Sequence, residues 1–184
     1  MMVQVSVHRL FMLRFRDYLI LVLPVTLLGC VASGSADKTT TPPATPADRI
    51  VIEKSAHTMK LMRDDRVLKT YKVALGNPKS AKQQEGDRAT PEGEYVIDAK
   101  NEHSRFHRAL HISYPNAEDR ERAKKLGVSP GGDVEIHGQP AKYAWVGFLH
   151  RYEDWTAGCV AVSNSEIEEI WSVVPVGTKV EIRP

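Results

Sequence analysis

Residues 154–164, Asp154-Trp155-Thr156-Ala157-Gly158-Cys159-Val160-Ala161-Val162-Ser163-Asn164, set a cysteine beside small residues and ahead of an apolar run. Val160-Ala161-Val162 reads as a short buried strand. Ser163, followed three residues later by Glu166, is a capping box that starts a helix burying Ile167, Ile170, Trp171 and Val174, and Pro175 and Gly177 stop it. A thiol is therefore placed where a strand emerges, and a nucleophilic thiol needs a base nearby in space. The structural alternative is a core cysteine acting as a small hydrophobe.

Upstream, Asp133-Val134-Glu135-Ile136 reads as a strand that delivers His137-Gly138. An imidazole there would stabilise the Cys159 thiolate and lower a thiol pKa that is ordinarily about 8.5. The Gly138 carbonyl would hold the ring nitrogen turned away from the sulfur, and the amides around Gly158 are expected to lie open to a developing oxyanion. Between the two sites runs an aromatic stretch with Tyr143, Trp145, Phe148, Tyr152 and Trp155, either a substrate wall or packing under a long connection.

The earlier chain alternates apolar and polar residues with period two. Arg49 to Lys54, His57 to Met62 and Val67 to Val73 read as three strands in meander order, with Asp64-Asp65 as a turn. Gly76 to Asp87 is a polar loop, closed by Thr90-Pro91-Glu92-Gly93 before a strand Glu94 to Asp98. Ala109 to Tyr114 is a further strand, Asn116 to Gly127 a capped surface helix, and Lys179 to Arg183 a last strand. His103, His107 and His111 would stack on a helix, but the strand from Ala109 breaks that spacing. They are assigned to a solvated, substrate-facing loop, and neither a metal nor a cofactor is expected.

The chain carries 25 Lys+Arg against 23 Asp+Glu. Without residues 1–29, which hold Arg9, Arg14, Arg16 and Asp17, the balance is 22 against 22 (25 − 3 and 23 − 1). Such neutrality argues against a nucleic-acid partner, whose affinity comes largely from Lys and Arg on phosphates. Three arginines followed by the apolar run Tyr18 to Leu28 read as a signal peptide over 1–29, shorter than the roughly 20 apolar residues of a membrane span. Leu27-Leu28-Gly29-Cys30 resembles a lipoprotein lipobox, which implies cleavage before Cys30 and its lipidation. Residues 30–48, rich in Thr and Pro, read as a flexible tether, with one domain over 49–184. With Cys30 lipidated, Cys159 is left unpaired.

His137-Gly138, Thr156-Ala157-Gly158-Cys159 and Thr90-Pro91-Glu92-Gly93-Glu94-Tyr95 together resemble the L,D-transpeptidase catalytic domain, a family that remodels bacterial peptidoglycan. The resemblance implies a mainly β, sandwich- or barrel-like domain with two short peripheral helices, in the periplasm, acting on peptidoglycan peptide stems. It implies Cys159 as nucleophile, His137 as base, Gly138 as its orienter, and Thr156 and Gly158 as the oxyanion environment. An acyl-enzyme would form with loss of D-alanine and pass to an amine, or to water in a hydrolase, while a non-catalytic wall-binding lipoprotein is the rival of another class. Ala157 stands where the family has a second histidine, and Ala161 where it has Arg or Asn. Substrate anchoring is therefore expected from Arg105, His107, Arg151 and Trp155.

Overall fold

The computed structural model describes residues 45–184. The expected signal peptide, Cys30 and most of the tether lie outside the described residues. Three alternating segments form β1 (Arg49–Glu53), β2 (Thr58–Arg63) and β3 (Arg66–Lys72), an antiparallel meander. Ile50 faces Leu61 across the first pair and Ile52 faces Met59, and all four are buried. Period-two alternation thus puts one face of this pair into the core. β3 exposes five residues in a row and forms the edge.

β4 (Gly93–Ser104) is longer than the expected strand at Glu94 to Asp98. Its first half pairs with β8 (Lys179–Arg183), and its second half with β5 (His107–Ile112), across a register shift between Ile97 and Ala99. Such a bulge bends a strand, so one segment serves two parts of a curling sheet. The hairpin also corrects the expectation for the histidines. They lie on paired strands, with His111 Nδ1 2.6 Å from Asp98 Oδ1, rather than on a loop.

Two short strands complete the sheet, β6 (Glu135–His137) and β7 (Val160–Ala161), giving the order β3-β2-β1-β8-β4-β5-β6-β7. Ala74, just beyond β3, exchanges backbone hydrogen bonds of 3.0 and 2.8 Å with Ala161 on β7. The two ends of the sheet are thereby stitched together, and the curl encloses Ile97, Leu110, Ile112, Ile136 and Val160. Helix α2 (Asn164–Val173) starts at the Ser163–Glu166 capping box and lays Ile167 and Ile170 on that core.

Helix α1 (Ala117–Leu126) is capped by Asn116 and ended by Gly127. Its third residue, Asp119, closes the capping box and is buried, accepting from the Tyr95 hydroxyl at 3.0 Å, so the polar helix is pinned to β4. The aromatic stretch adds a third helical segment to the two expected ones. Ala141–Tyr152 forms 3-10 turns broken at Gly147. Twelve residues with no strand alternation and a central glycine settle into such short turns.

The polar loop from Gly76 is anchored from below. Lys54 is wholly buried, and its ammonium donates to Ser80 O at 2.7 Å and Glu92 Oε1 at 2.6 Å. The buried Thr90 accepts the Gly76 amide at 3.1 Å. The segment Thr90 to Glu92 is thus a brace behind the loop that carries Cys159, which the loop reaches at Gly76 and Ala89.

Candidate active site

β6 and β7 run parallel with His137 opposite Ala161. Paired residues project to one face, which sets His137 and Ala161 side by side. β6 ends at His137, and Cys159, 22 positions further on, immediately precedes β7, with its Sγ donating to the Asp133 carbonyl at 3.5 Å. Ala161 is fully buried between Ala74 and His137. It is a packed junction rather than a position facing substrate.

His137 Nδ1 lies 2.7 Å from the Gly138 carbonyl. A carbonyl only accepts, so Nδ1 carries the proton and Nε2 keeps the lone pair. Gly138 is required by space: a Cβ there would lie 2.6 Å from Asn164 Oδ1 and 2.9 Å from Phe106 O. Asn164, the first residue of α2, uses that oxygen to accept the Gln139 amide at 2.7 Å. The helix start thus fixes the backbone just after the imidazole.

Phe106, at the tip of the β4–β5 hairpin, stacks on the His137 ring with centroids 4.2 Å apart, and Trp155 meets the same ring edge-on at 5.7 Å. Burial drives the His137 pKa down to about 4 despite the Gly138 hydrogen bond, and His150 and Arg105 add to the effect. Burial also pushes the Cys159 thiol up. A hydrogen bond from the Glu135 backbone and the Arg105 charge oppose that rise, and the carboxylates of Glu135 and Asp133 reinforce it. Desolvation thus disfavours the charged form of each group.

The turn before the thiol is held by Thr156. Its hydroxyl donates to the Cys159 carbonyl at 2.8 Å and accepts the Gly158 amide at 3.2 Å. The Gly158 amide is therefore engaged, which corrects its expected role as an open donor. The Cys159 amide has no acceptor among the described residues. Gly158 sits at φ 124, where a Cβ would come 2.8 Å from Ala89 O. Arg88 clamps the same turn by donating to the carbonyls of Trp155 at 3.1 Å and Thr156 at 3.2 Å.

The four expected anchors divide. Arg105 and Trp155 line one cavity of about 890 Å³, whose wall includes Phe106, Gln139, Tyr143 and His150. His107 is instead bound to α2, its Nε2 2.7 Å from Glu168 Oε1. Arg151 is paired with Glu166 of the α2 capping box. These two pairs tie the hairpin and the 3-10 segment to α2. Phe106, Gln139, His150 and Arg88 were not singled out from sequence; the nearest signals were the neighbours of Arg105 and of His137-Gly138. Among the described residues, no cluster of three or more His, Cys, Asp or Glu is arranged to hold a metal ion.

One curled sheet thus carries a tautomer-fixed histidine at the end of β6 and a cysteine just ahead of the parallel β7. The chain belongs to the L,D-transpeptidase catalytic-domain family, YkuD, whose family model matches residues 47–182. YkuD of Bacillus licheniformis, provisionally named an L,D-transpeptidase, is 30% identical over 142 residues, covering 77% of this chain and 69% of that protein. YqjB of Bacillus subtilis, named in the same provisional way, is 25% identical over 137 residues, covering 72% and 69%. Among solved structures, the helical cell shape determining protein Pgp2 from Campylobacter jejuni aligns with a TM-score of 0.59 at 25% identity. The match covers 76% of this chain but 48% of Pgp2, so this chain spans about half of that structure.

Proposed function

We propose that the chain is a cysteine-dependent L,D-transpeptidase acting on peptidoglycan peptide stems. The reading is supported by the parallel pairing of β6, which ends at His137, with β7, which Cys159 immediately precedes, and by the Gly138 carbonyl that leaves His137 Nε2 as the free base, in a chain of this family. The Cys159 sulfur attacks the carbonyl at the L-centre of the diamino acid bonded to D-alanine. His137 Nε2 takes the thiol proton as the S–C bond forms. The oxyanion meets the Cys159 amide, positioned by Thr156 and Arg88. Cleavage of the C–N bond returns the proton from His137 to the leaving D-alanine nitrogen and leaves a thioester. An acceptor amine then attacks the thioester, giving a cross-link and restoring the thiol. Water is the competing acceptor and would make the same site a hydrolase.

The reading includes export, anchoring through a lipidated Cys30 and a role in cell wall and cell shape. Incubating the protein with tetrapeptide muropeptides and following products by mass tests it. A Cys159 adduct with loss of D-alanine, resolving into dimers, is the expected result; tripeptides alone would identify the hydrolase. Absence of any Cys159 adduct would overturn the enzymatic reading. Cys30→Ala should move the protein from the membrane to the soluble fraction, and unchanged partitioning rejects the lipid anchor.

A further inference from the structure

The 3-10 segment Ala141–Tyr152 turns its rings outward. Trp145 is 82% exposed, Tyr152 80% and Phe148 60%, with Tyr143 and Leu149 about half exposed. Those four rings are all of the exposed large aromatic side chains among the described residues. The core does not use them: of this segment only His150 is buried, and the tie to α2 runs through Arg151 and Glu166. Single apolar residues are normal on a surface, but a group of this size within twelve residues marks a place where something docks.

The segment is a ridge with a cleft on each flank. Tyr143, Leu149 and Tyr152 belong to the wall of the cavity of about 890 Å³ that also holds Trp155. Phe148, Arg151 and Tyr152 belong to a second cleft of about 390 Å³, shared with His57 and Lys72. Tyr152 borders both and Trp145 neither, so a partner lying on the ridge continues directly into the first cavity. The ridge carries balanced charge. Lys142 and Arg151 are matched by Glu153 and by Glu166, the ion-pair partner of Arg151, and burial holds His150 uncharged with its pKa at about 4. Anionic bilayers are read by clusters of roughly four to eight Lys or Arg, and an interfacial helix needs one unbroken apolar face. Gly147, at φ 53, breaks the turns at their middle. The ridge therefore fits an uncharged polymer with flat, partly apolar units better than it fits a membrane.

We propose that the exposed rings of Tyr143, Trp145, Phe148 and Tyr152 form a platform for a glycan strand, on which the sugar backbone of the wall polymer lies. The platform rests on the proposed reaction, since the peptide stem of that reaction hangs from a strand of N-acetylated amino sugars. A sugar ring in its chair form presents C–H groups on one face and hydroxyls around its edge. The C–H face packs on an indole, phenol or phenyl ring while the hydroxyls stay in water, and Trp and Tyr, with an apolar body and a polar tip, suit such a partner. A strand held across the ridge leaves its stem at the cavity mouth, where Tyr143 and Tyr152 stand. The platform thus favours stems still attached to glycan over free peptides.

Calorimetry on the full-length chain with chitotetraose, an uncharged N-acetylglucosamine oligomer that carries no peptide, reads the platform independently of the thiol. The parent is expected to bind, and Trp145→Ala and Phe148→Ala should each weaken binding roughly three- to tenfold, the loss of one stacking contact. Trp145→Phe keeps a ring and should recover most of the affinity. Both side chains are exposed, so the thermal midpoint should stay at the parent's. No binding by the parent, unchanged affinity in both alanine variants, or weakening that comes with a lowered midpoint overturns the platform. Two other occupants have their own signatures, each read without chitotetraose binding and each overturning the glycan assignment. Co-sedimentation with phosphatidylglycerol vesicles that Trp145→Ala abolishes indicates a membrane, since parent and variant share the same N-terminus. A dimer that Trp145→Ala dissolves indicates a second copy of the chain. A parent that binds chitotetraose yet forms no Cys159 adduct with a stem tetrapeptide overturns the proposed reaction alone, and an adduct without chitotetraose binding overturns the platform alone.

Discussion

Phe106 lies flat against His137 at 4.2 Å, and this contact, with Trp155 on the ring's edge, keeps the imidazole dry and neutral. The protonated imidazole cannot act as a base, so acylation should fall only as pH drops through about 4, well below the ordinary histidine value of about 6.5. Phe106→Ala should wet the ring, raise its pKa and move the acid limb of the pH–rate profile upward. An acid limb near 6.5 in the parent protein would show that the ring is not desolvated.

The thiol titrates in the other direction. Its pKa is raised by burial, so alkylation by iodoacetamide should climb through pH 9 without a plateau at neutral pH. A flat rate from pH 5 to pH 8 would reveal a preformed thiolate–imidazolium pair instead.

Stability should follow the two buried histidines. His137 and His150 both have folded pKa values near 4, below the unfolded value, so the unfolded chain binds more protons as pH falls from about 6.5 to about 4. Their contribution is full above that window and is lost across it. His150→Phe removes one of the two titrating groups, so its unfolding midpoint should fall less than the parent's between pH 6.5 and pH 4, as read by chemical denaturation. Identical pH dependence in variant and parent would contradict this.

Thr156→Ala should free both the Gly158 amide and the Cys159 carbonyl while costing about 1–3 kcal/mol of stability. Loss of a positioned oxyanion donor commonly lowers kcat by ~10²–10³-fold, and a misplaced Cys159 amide should fall in that range. Thr156→Ser keeps the hydroxyl and should restore most of the rate. A Thr156→Ala variant with the parent's kcat would show that the turn is held without this residue.

Lys54→Ala should destabilise the domain by roughly 3 kcal/mol, because it strips Ser80 O and Glu92 of their buried partner. Equilibrium unfolding in urea measures the loss, and a change below 1 kcal/mol would mean that Glu92 rehydrates freely.

The sequence displayed the meander and both helix caps, since these depend on local alternation and capping chemistry. Asn116 and Ser163 could be read as caps because their hydrogen bonds close within three residues. The placement of β8 and the bend of β4 could not, because both rest on pairings between distant segments and on a bulge without its own sequence mark. Charged residues were the least legible part of the site. His107 and Arg151 have the chemistry of substrate anchors, yet Glu168 and Glu166 on α2 take them, and nothing local in the sequence discloses those partners. Likewise the cavity wall formed by Gln139, His150 and Trp155 exists only once three separate positions come together in the fold.

β8 lies between β1 and β4, parallel to the former and antiparallel to the latter, although it is the last of the eight strands to be made. Until Lys179–Arg183 leaves the ribosome, the meander and the β4–β7 half have no shared strand, and the backbone edges of β1 and β4 stay open. Neither half can close its core alone, so the native core is deferred until β8 has been made.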